Sequence, residues 1–142
     1  MEIKFDHINL TVSNLEESIV WYKKIFGFTL VERGLKLDES RWAIVARNDF
    51  MVCMTEMSSR KLAVQWGEDA DELANYHKVY HFGIRIFDEE KWMQKVNEFN
   101  LRLYYGGVVE YPHSKSWYIR DPSGHSIEVS YAGFSPLQFP PL

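Results

Sequence analysis

An α+β fold made of two βαβββ modules is the architecture this sequence predicts, and three observations carry it. The same order of elements occurs twice along the chain. Each occurrence opens on a strand with a histidine on its polar side, His7 in HINLTV (7–12) and His81 in HFGIRI (81–86). Each closes on a strand of matching pattern, VCMTE (52–56) and IEVSY (127–131), and 46 residues separate His7 from Cys53 while 47 separate His81 from Glu128. Units this short cannot close a core alone, which is the physical reason for a pair.

The elements follow in order. Ile3 to Val12 alternates apolar and polar residues and reads as the first strand. Ser13-Asn14-Leu15-Glu16 offers a capping box for a helix whose apolar face is Leu15, Ile19, Tyr22 and Phe26. Gly27 suits the left-handed residue past its end. Strands are expected at Phe28–Glu32, Arg41–Arg47 and Phe50–Glu56, the last two joined by Asn48-Asp49. In the second module Tyr80–Ile86 is a strand, Asp88 caps a helix carrying Trp92, Val96 and Phe99, and Asn100 stops it. Strands at Leu101–Tyr105, Ser116–Arg120 and Ser126–Tyr131 complete the module, with the turn Asp121-Pro122-Ser123-Gly124 between the last two. The modules are placed at 1–57 and 79–132, joined by a linker at 58–78 with a short helix near Asp69–His77. The proline-containing segment 133–142 reads as an extended tail.

Composition narrows the function classes. The chain has 142 residues, 46% hydrophobic and 25% charged, the profile of an ordinary globular domain. Its net charge of −4 comes without long runs of one sign, which argues against a nucleic-acid groove. A single cysteine, Cys53, excludes an internal disulfide framework and fits a reducing compartment. Neither a signal-peptide pattern nor a stretch of about 20 apolar residues is present, so a cytoplasmic protein without membrane contact is expected.

Strand side chains alternate between faces. In the first strand Ile8, Leu10 and Val12 are apolar, which leaves His7, Asn9 and Thr11 opposite. In the fifth, Phe82, Ile84 and Ile86 oppose His81, Gly83 and Arg85; in the last, Ile127, Val129 and Tyr131 oppose Ser126, Glu128 and Ser130. With the helices over the apolar faces, His7, His81 and Glu128 all belong to the polar side. Singly, a strand histidine is a hydrogen-bonded structural residue and a strand glutamate a solvated one. Repetition at equivalent positions changes that reading. Two imidazoles and a carboxylate make a facial metal site with open positions for water or substrate.

The pattern resembles the vicinal oxygen chelate superfamily, which includes glyoxalases, extradiol ring-cleaving dioxygenases, fosfomycin-resistance transferases, methylmalonyl-CoA epimerases and bleomycin-binding proteins. The resemblance spans about residues 3–131 and rests on FDHINLTVSNLEESIVWYKKIFGF, YHFGIRI and WYIRDPSGHSIEVSY. It implies glyoxalase/dioxygenase-like modules whose curled mixed sheets form a metal-binding cleft. It also implies one divalent ion (Fe2+, Mn2+, Zn2+ or Ni2+) held by His7, His81 and Glu128, and a small oxygenated substrate that chelates it. The reaction would be of lyase/isomerase or ring-cleaving dioxygenase type. A non-catalytic, ligand-sequestering protein of the bleomycin-resistance kind is the alternative, and such proteins generally lack the ligand triad.

Glyoxalases usually add a fourth ligand, a glutamate, where the repeat here places Cys53; Glu56 stands at odd spacing from it and should face the other side. Glu56, Tyr118 and His113 are the candidates for proton transfer, and Asn9, Arg85 and Arg120 have the face parity of substrate contacts. Arg85 and Arg120 fit structural ion pairs equally well. His125 is expected in a turn, facing solvent, and Trp21, Tyr22, Trp92 and Trp117 are expected in the core. A homodimer, with the apolar tail (Phe134, Leu137, Phe139, Leu142) at its interface, is the expected assembly.

Overall fold

The computed structural model describes residues 1, 6–57, 79, 81–111 and 114–133. The expected linker, the helix near Asp69–His77 and nearly all of the tail lie outside the described residues. The chain divides into two compact units, Met1–Gln65 and Trp66–Leu142.

Unit one holds β1 (His7–Val12), α1 (Leu15–Phe26), β2 (Thr29–Leu35), β3 (Arg41–Arg47) and β4 (Phe50–Glu56), with strand order β1-β4-β3-β2. β1 runs parallel to β4 and the other pairs are antiparallel. Helix α1 begins one residue later than the capping box predicts. Its N-cap is Asn14, whose side chain accepts from the Glu17 N–H at 3.1 Å. Ser13-x-x-Glu16 and Asn14-x-x-Glu17 fit the motif equally on paper. The apolar stripe chooses the second frame, burying Leu15, Tyr22, Ile25 and Phe26 and leaving Ile19 half-buried. Gly27 closes the helix at φ 71°, its N–H returning to the Lys23 carbonyl. The Arg47 guanidinium donates to the Phe26 carbonyl and fills the space that a side chain at position 27 would need.

α1 lies on β3 and β4, over the face formed by Leu10, Val12, Ala43, Val45, Val52 and Met54, all buried. Tyr22, Phe26, Phe28 and Phe50 continue this core as edge-to-face and tilted rings 5.8–6.5 Å apart. Each such side chain contributes roughly 1.5–3 kcal/mol by leaving water.

Unit two repeats the plan with β5 (Phe82–Ile86), α2 (Glu89–Glu98), β6 (Val108–Tyr111), β7 (Ser114–Arg120) and β8 (Ser126–Tyr131), in the order β5-β8-β7-β6. Asp88 caps α2 as expected, accepting from the Lys91 N–H at 2.9 Å. Trp92 and Val96 are buried, as are Trp117, Ile119, Ile127 and Val129 on one face of the sheet. Among the expected core aromatics, Tyr22, Trp92 and Trp117 are buried and Trp21 is half-buried.

The strand expected at Leu101–Tyr105 is not there; β6 begins at Val108. Tyr105, Gly106 and Gly107 adopt φ of 56°, 78° and 111°, which no strand accommodates. The segment instead hangs from β7 through the Tyr104 N–H, which donates to the Tyr118 carbonyl at 2.9 Å. Elsewhere β3, β4 and β8 have the bounds read from sequence. Among the described residues no helix is long and apolar enough to cross a membrane.

Candidate metal centre

Register places the candidate residues of each unit on one face. In unit one, Asn9 pairs with Cys53, with His7 two residues earlier on β1. In unit two, Gly83 pairs with Glu128, with His81 two residues earlier. The two frames coincide, so Cys53 and Glu128 occupy equivalent places, as the repeat predicts.

Unit two brings its two candidates into contact. His81 Nε2 is 2.9 Å from Glu128 Oε2, and both side chains are half-buried. Glu128 Oε1 accepts from the Ser116 hydroxyl at 2.6 Å. Tyr118 pairs with Glu128 across β7 and β8, so its ring shares that face. It packs edge-on to His81, with centroids 5.5 Å apart, and its hydroxyl lies 2.9 Å from that of Tyr111. Burial, with help from the Tyr111 hydrogen bond and the Glu128 charge, pushes the Tyr118 phenol well above its ordinary range. The protonated phenol is thereby favoured, which suits Tyr118 to donating a hydrogen bond. Sequence reasoning singles out neither Ser116 nor Tyr111. Ser116 was within reach of strand alternation, two residues from Tyr118 on the same face.

In unit one His7 is exposed, and its Nδ1 stands 2.6 Å from Asp6 Oδ2. With Nδ1 as the donor, Nε2 carries the lone pair, the arrangement in which a carboxylate orients a metal-binding imidazole. Asn9 is exposed on the same face. Cys53 is half-buried, and burial, then the nearby Asp6 charge, pushes its thiol up. Both effects disfavour the thiolate.

Glu56 does not share this face. It pairs with Val12, on the side that α1 covers. Its Oε2 accepts from the Leu15 N–H at 2.7 Å, and its Oε1 from Arg41 Nε at 2.8 Å. The Arg41 guanidinium holds its carboxyl below the usual carboxylate range. The expectation of a base at Glu56 is therefore corrected: strand parity without a bulge in β4 sends it to the helix, where it serves as a cap.

Arg85 is exposed on the polar face and pairs with Ser130. Arg120 shares that face, its guanidinium 4.5 Å from the Tyr104 ring centre. His113 lies outside the described residues. His125 does not face solvent as expected. Its Nδ1 is 2.9 Å from Asp121 Oδ2, and Asp121 Oδ1 accepts the N–H groups of Ser123 and His125. Asp121 has no side-chain exposure, so this loop fixes the β7–β8 register that sets Tyr118 opposite Glu128.

Among the described residues no three His, Cys, Asp or Glu side chains converge; the donors come as pairs, His81 with Glu128 and His7 with Asp6. Their chemistry suits a divalent ion. Neutral imidazole nitrogen and a carboxylate braced by a hydroxyl are borderline-to-hard ligands, and the brace orients the second oxygen.

Comparison with known proteins agrees with this fold. The model of the Glyoxalase/Bleomycin resistance protein/Dioxygenase superfamily matches residues 4–129. A trivalent organoarsenical cleaving enzyme of Bacillus sp. (strain MD1) is 24% identical over 139 residues, 91% of this chain and 73% of that protein. The glutathione transferase FosA of Serratia marcescens is 24% identical over 127 residues, covering 87% and 77%. Among solved structures, a glyoxylase/bleomycin resistance protein/dioxygenase domain from Frankia sp. EAN1pec superposes with a TM-score of 0.72 at 16% identity, covering 93% of this chain and 99% of that one. The fosfomycin resistance protein FosX from Listeria monocytogenes, complexed with Mn(II) and sulfate ion, superposes with a TM-score of 0.66 at 17% identity, covering 94% and 96%. The chain belongs to the Glyoxalase/Bleomycin resistance protein/Dioxygenase superfamily.

Proposed function

We propose that the protein is a metal-dependent enzyme acting on a small oxygenated organic substrate, with His7, His81 and Glu128 as ligands of one divalent ion. The observation that carries this reading is the His81–Glu128 pair at 2.9 Å, braced by Ser116, at the position where the other module repeats a histidine. When bound, the ion supplies Lewis-acid stabilisation of negative charge developing on a substrate oxygen. The chain's own residues do the rest. Ser116 orients Glu128, Asp6 orients His7, and the protonated Tyr118 phenol donates a hydrogen bond to a substrate oxygen on that face. Asn9, Arg85 and Arg120 position the substrate.

The relatives support the enzyme side of the reading: one is named for cleaving organoarsenicals, another as a glutathione transferase, and the FosX structure contains Mn(II). Mn2+ is the first choice for reconstitution, with Fe2+, Zn2+ and Ni2+ as comparisons. A homodimer belongs to the same proposal. The exposed apolar residues Val31, Leu35 and Val108 on the edge strands β2 and β6 are consistent with it, and a monomer by light scattering would remove it.

The test is metal content of protein purified without chelator, followed by turnover and oxygen uptake against catechols, hemithioacetals and fosfomycin. About one ion per chain with metal-dependent turnover of any of these supports the enzyme. Tight binding of a panel member by metal-free protein, without turnover in any metal form, supports the sequestering alternative instead.

A further inference from the structure

Two arginines gather around a single tyrosine in unit two. The Arg102 guanidinium carbon lies 5.0 Å from the Tyr104 ring centre and that of Arg120 lies 4.5 Å from it. They reach it from different places, Arg120 from the end of β7 and Arg102 from the segment after α2. That segment is seated on the polar face. The Tyr104 N–H donates to the Tyr118 carbonyl at 2.9 Å, and the Tyr105 ring packs edge-on against Tyr118 with centroids 4.9 Å apart. The stack thus stands on the side of the sheet that carries Glu128, one same-face position along β7 from Tyr118.

Two guanidinium groups at one ring concentrate positive charge on this face, which favours an anion there. Contact with the ring also limits where each guanidinium can go, so less freedom is lost when its N–H groups engage an oxyanion. Arg102 is exposed and makes no carboxylate contact among the described residues. Gly106 and Gly107 follow Tyr105, and apart from their chain neighbours no atom of the described residues lies within 4 Å of where a Cβ would stand. We propose that Arg102 and Arg120, gathered around Tyr104, form a recognition subsite for an oxyanion of the substrate, a phosphonate, phosphate or carboxylate group. The inference rests on the reading of the Glu128 face as the substrate face, and it narrows the substrate to one that carries an anionic group beyond its metal-chelating oxygens.

The test uses metal-free full-length protein and two probes, methylphosphonate and acetate, followed through the arginine side-chain NMR signals. Saturable shifts at Arg102 and Arg120 are expected. Tighter binding of the first probe assigns the tetrahedral dianion and tighter binding of acetate the carboxylate. Arg102→Gln and Arg120→Gln should each weaken the preferred probe about tenfold, the scale of one charge-assisted hydrogen bond, whereas Arg33→Gln in unit one should not. Equal binding by wild type and both variants, or shifts without saturation, would overturn the subsite; if Arg120→Gln fails to fold, the exposed Arg102 variant decides alone. A separate Mn(II) titration keeps the two readings apart. Both arginine variants should bind Mn(II) as wild type does, and a wild type that binds the probe but no Mn(II) would sink the metal reading while leaving the subsite standing.

Discussion

The two units share a frame and differ in what they put on it. Each pairs its first strand in parallel with its last, and each sets a histidine two residues before the paired position. In unit two that position holds Glu128 facing Gly83, and the carboxylate is gathered in by His81 and Ser116. In unit one it holds Cys53 facing Asn9, a half-buried residue whose thiol is pushed toward neutrality. The turns between the paired inner strands differ in parallel. Unit one uses the tight Asn48-Asp49 hairpin, with Asn48 at φ 53°, while unit two uses a longer loop pinned by the buried Asp121. A duplicated fold therefore need not be a duplicated site. Unit two holds its carboxylate in place between His81 and Ser116, whereas unit one leaves His7 exposed beside Asp6 and spends its own strand-end glutamate, Glu56, on capping a helix.

The sharpest way to break this contrast is Glu128→Gln. It keeps the Ser116 contact and removes the anionic donor, and Mn(II) affinity should fall by more than about 100-fold, beyond what loss of an outer partner costs. Asp121→Ala comes next. It strips the acceptor from the Ser123 and His125 N–H groups in a buried loop and should cost roughly 2–4 kcal/mol in denaturant unfolding, with weaker metal binding as the β7–β8 register loosens.

Glu56→Gln should cost about 1 kcal/mol at neutral pH, because the α1 terminus loses its charged cap, while Mn(II) affinity stays at the wild-type value. The sign of its pH dependence follows from the depressed carboxyl. Its stabilisation is present above the ordinary carboxylate value of about 4.3 and is lost as pH falls through the lower folded value, so the variant's deficit should shrink on acidification in urea titrations. Cys53→Ser carries the smallest expected effect, a change in Mn(II) affinity of less than about threefold, since a neutral thiol is a packing group. A larger loss would make Cys53 a ligand and erase the contrast between the units.

Much of this was legible in the residues. Alternation put His81 and Glu128 on one face, and sent Glu56 away from Cys53, because strand periodicity is local and exceptionless where no bulge intervenes. What failed depended on contacts that periodicity does not encode. Tyr104 and Tyr105 look like strand residues, but their rings find better partners on Arg120 and Tyr118, and the backbone takes left-handed angles to deliver them. Ser13 reads as the helix cap in the sequence, whereas Asn14 takes that place in the structure. His125 looked like a turn residue for solvent because nothing local announces that Asp121 is buried beneath it.

The proposal that His7, His81 and Glu128 hold one ion requires that His7 matter to metal binding as His81 does. Mn(II) titration of wild type, His7→Ala and His81→Ala by electron paramagnetic resonance tests it directly. The account predicts one tight site per chain in wild type and a loss of at least about tenfold in each variant. A His7→Ala protein that binds Mn(II) as tightly as wild type would contradict it.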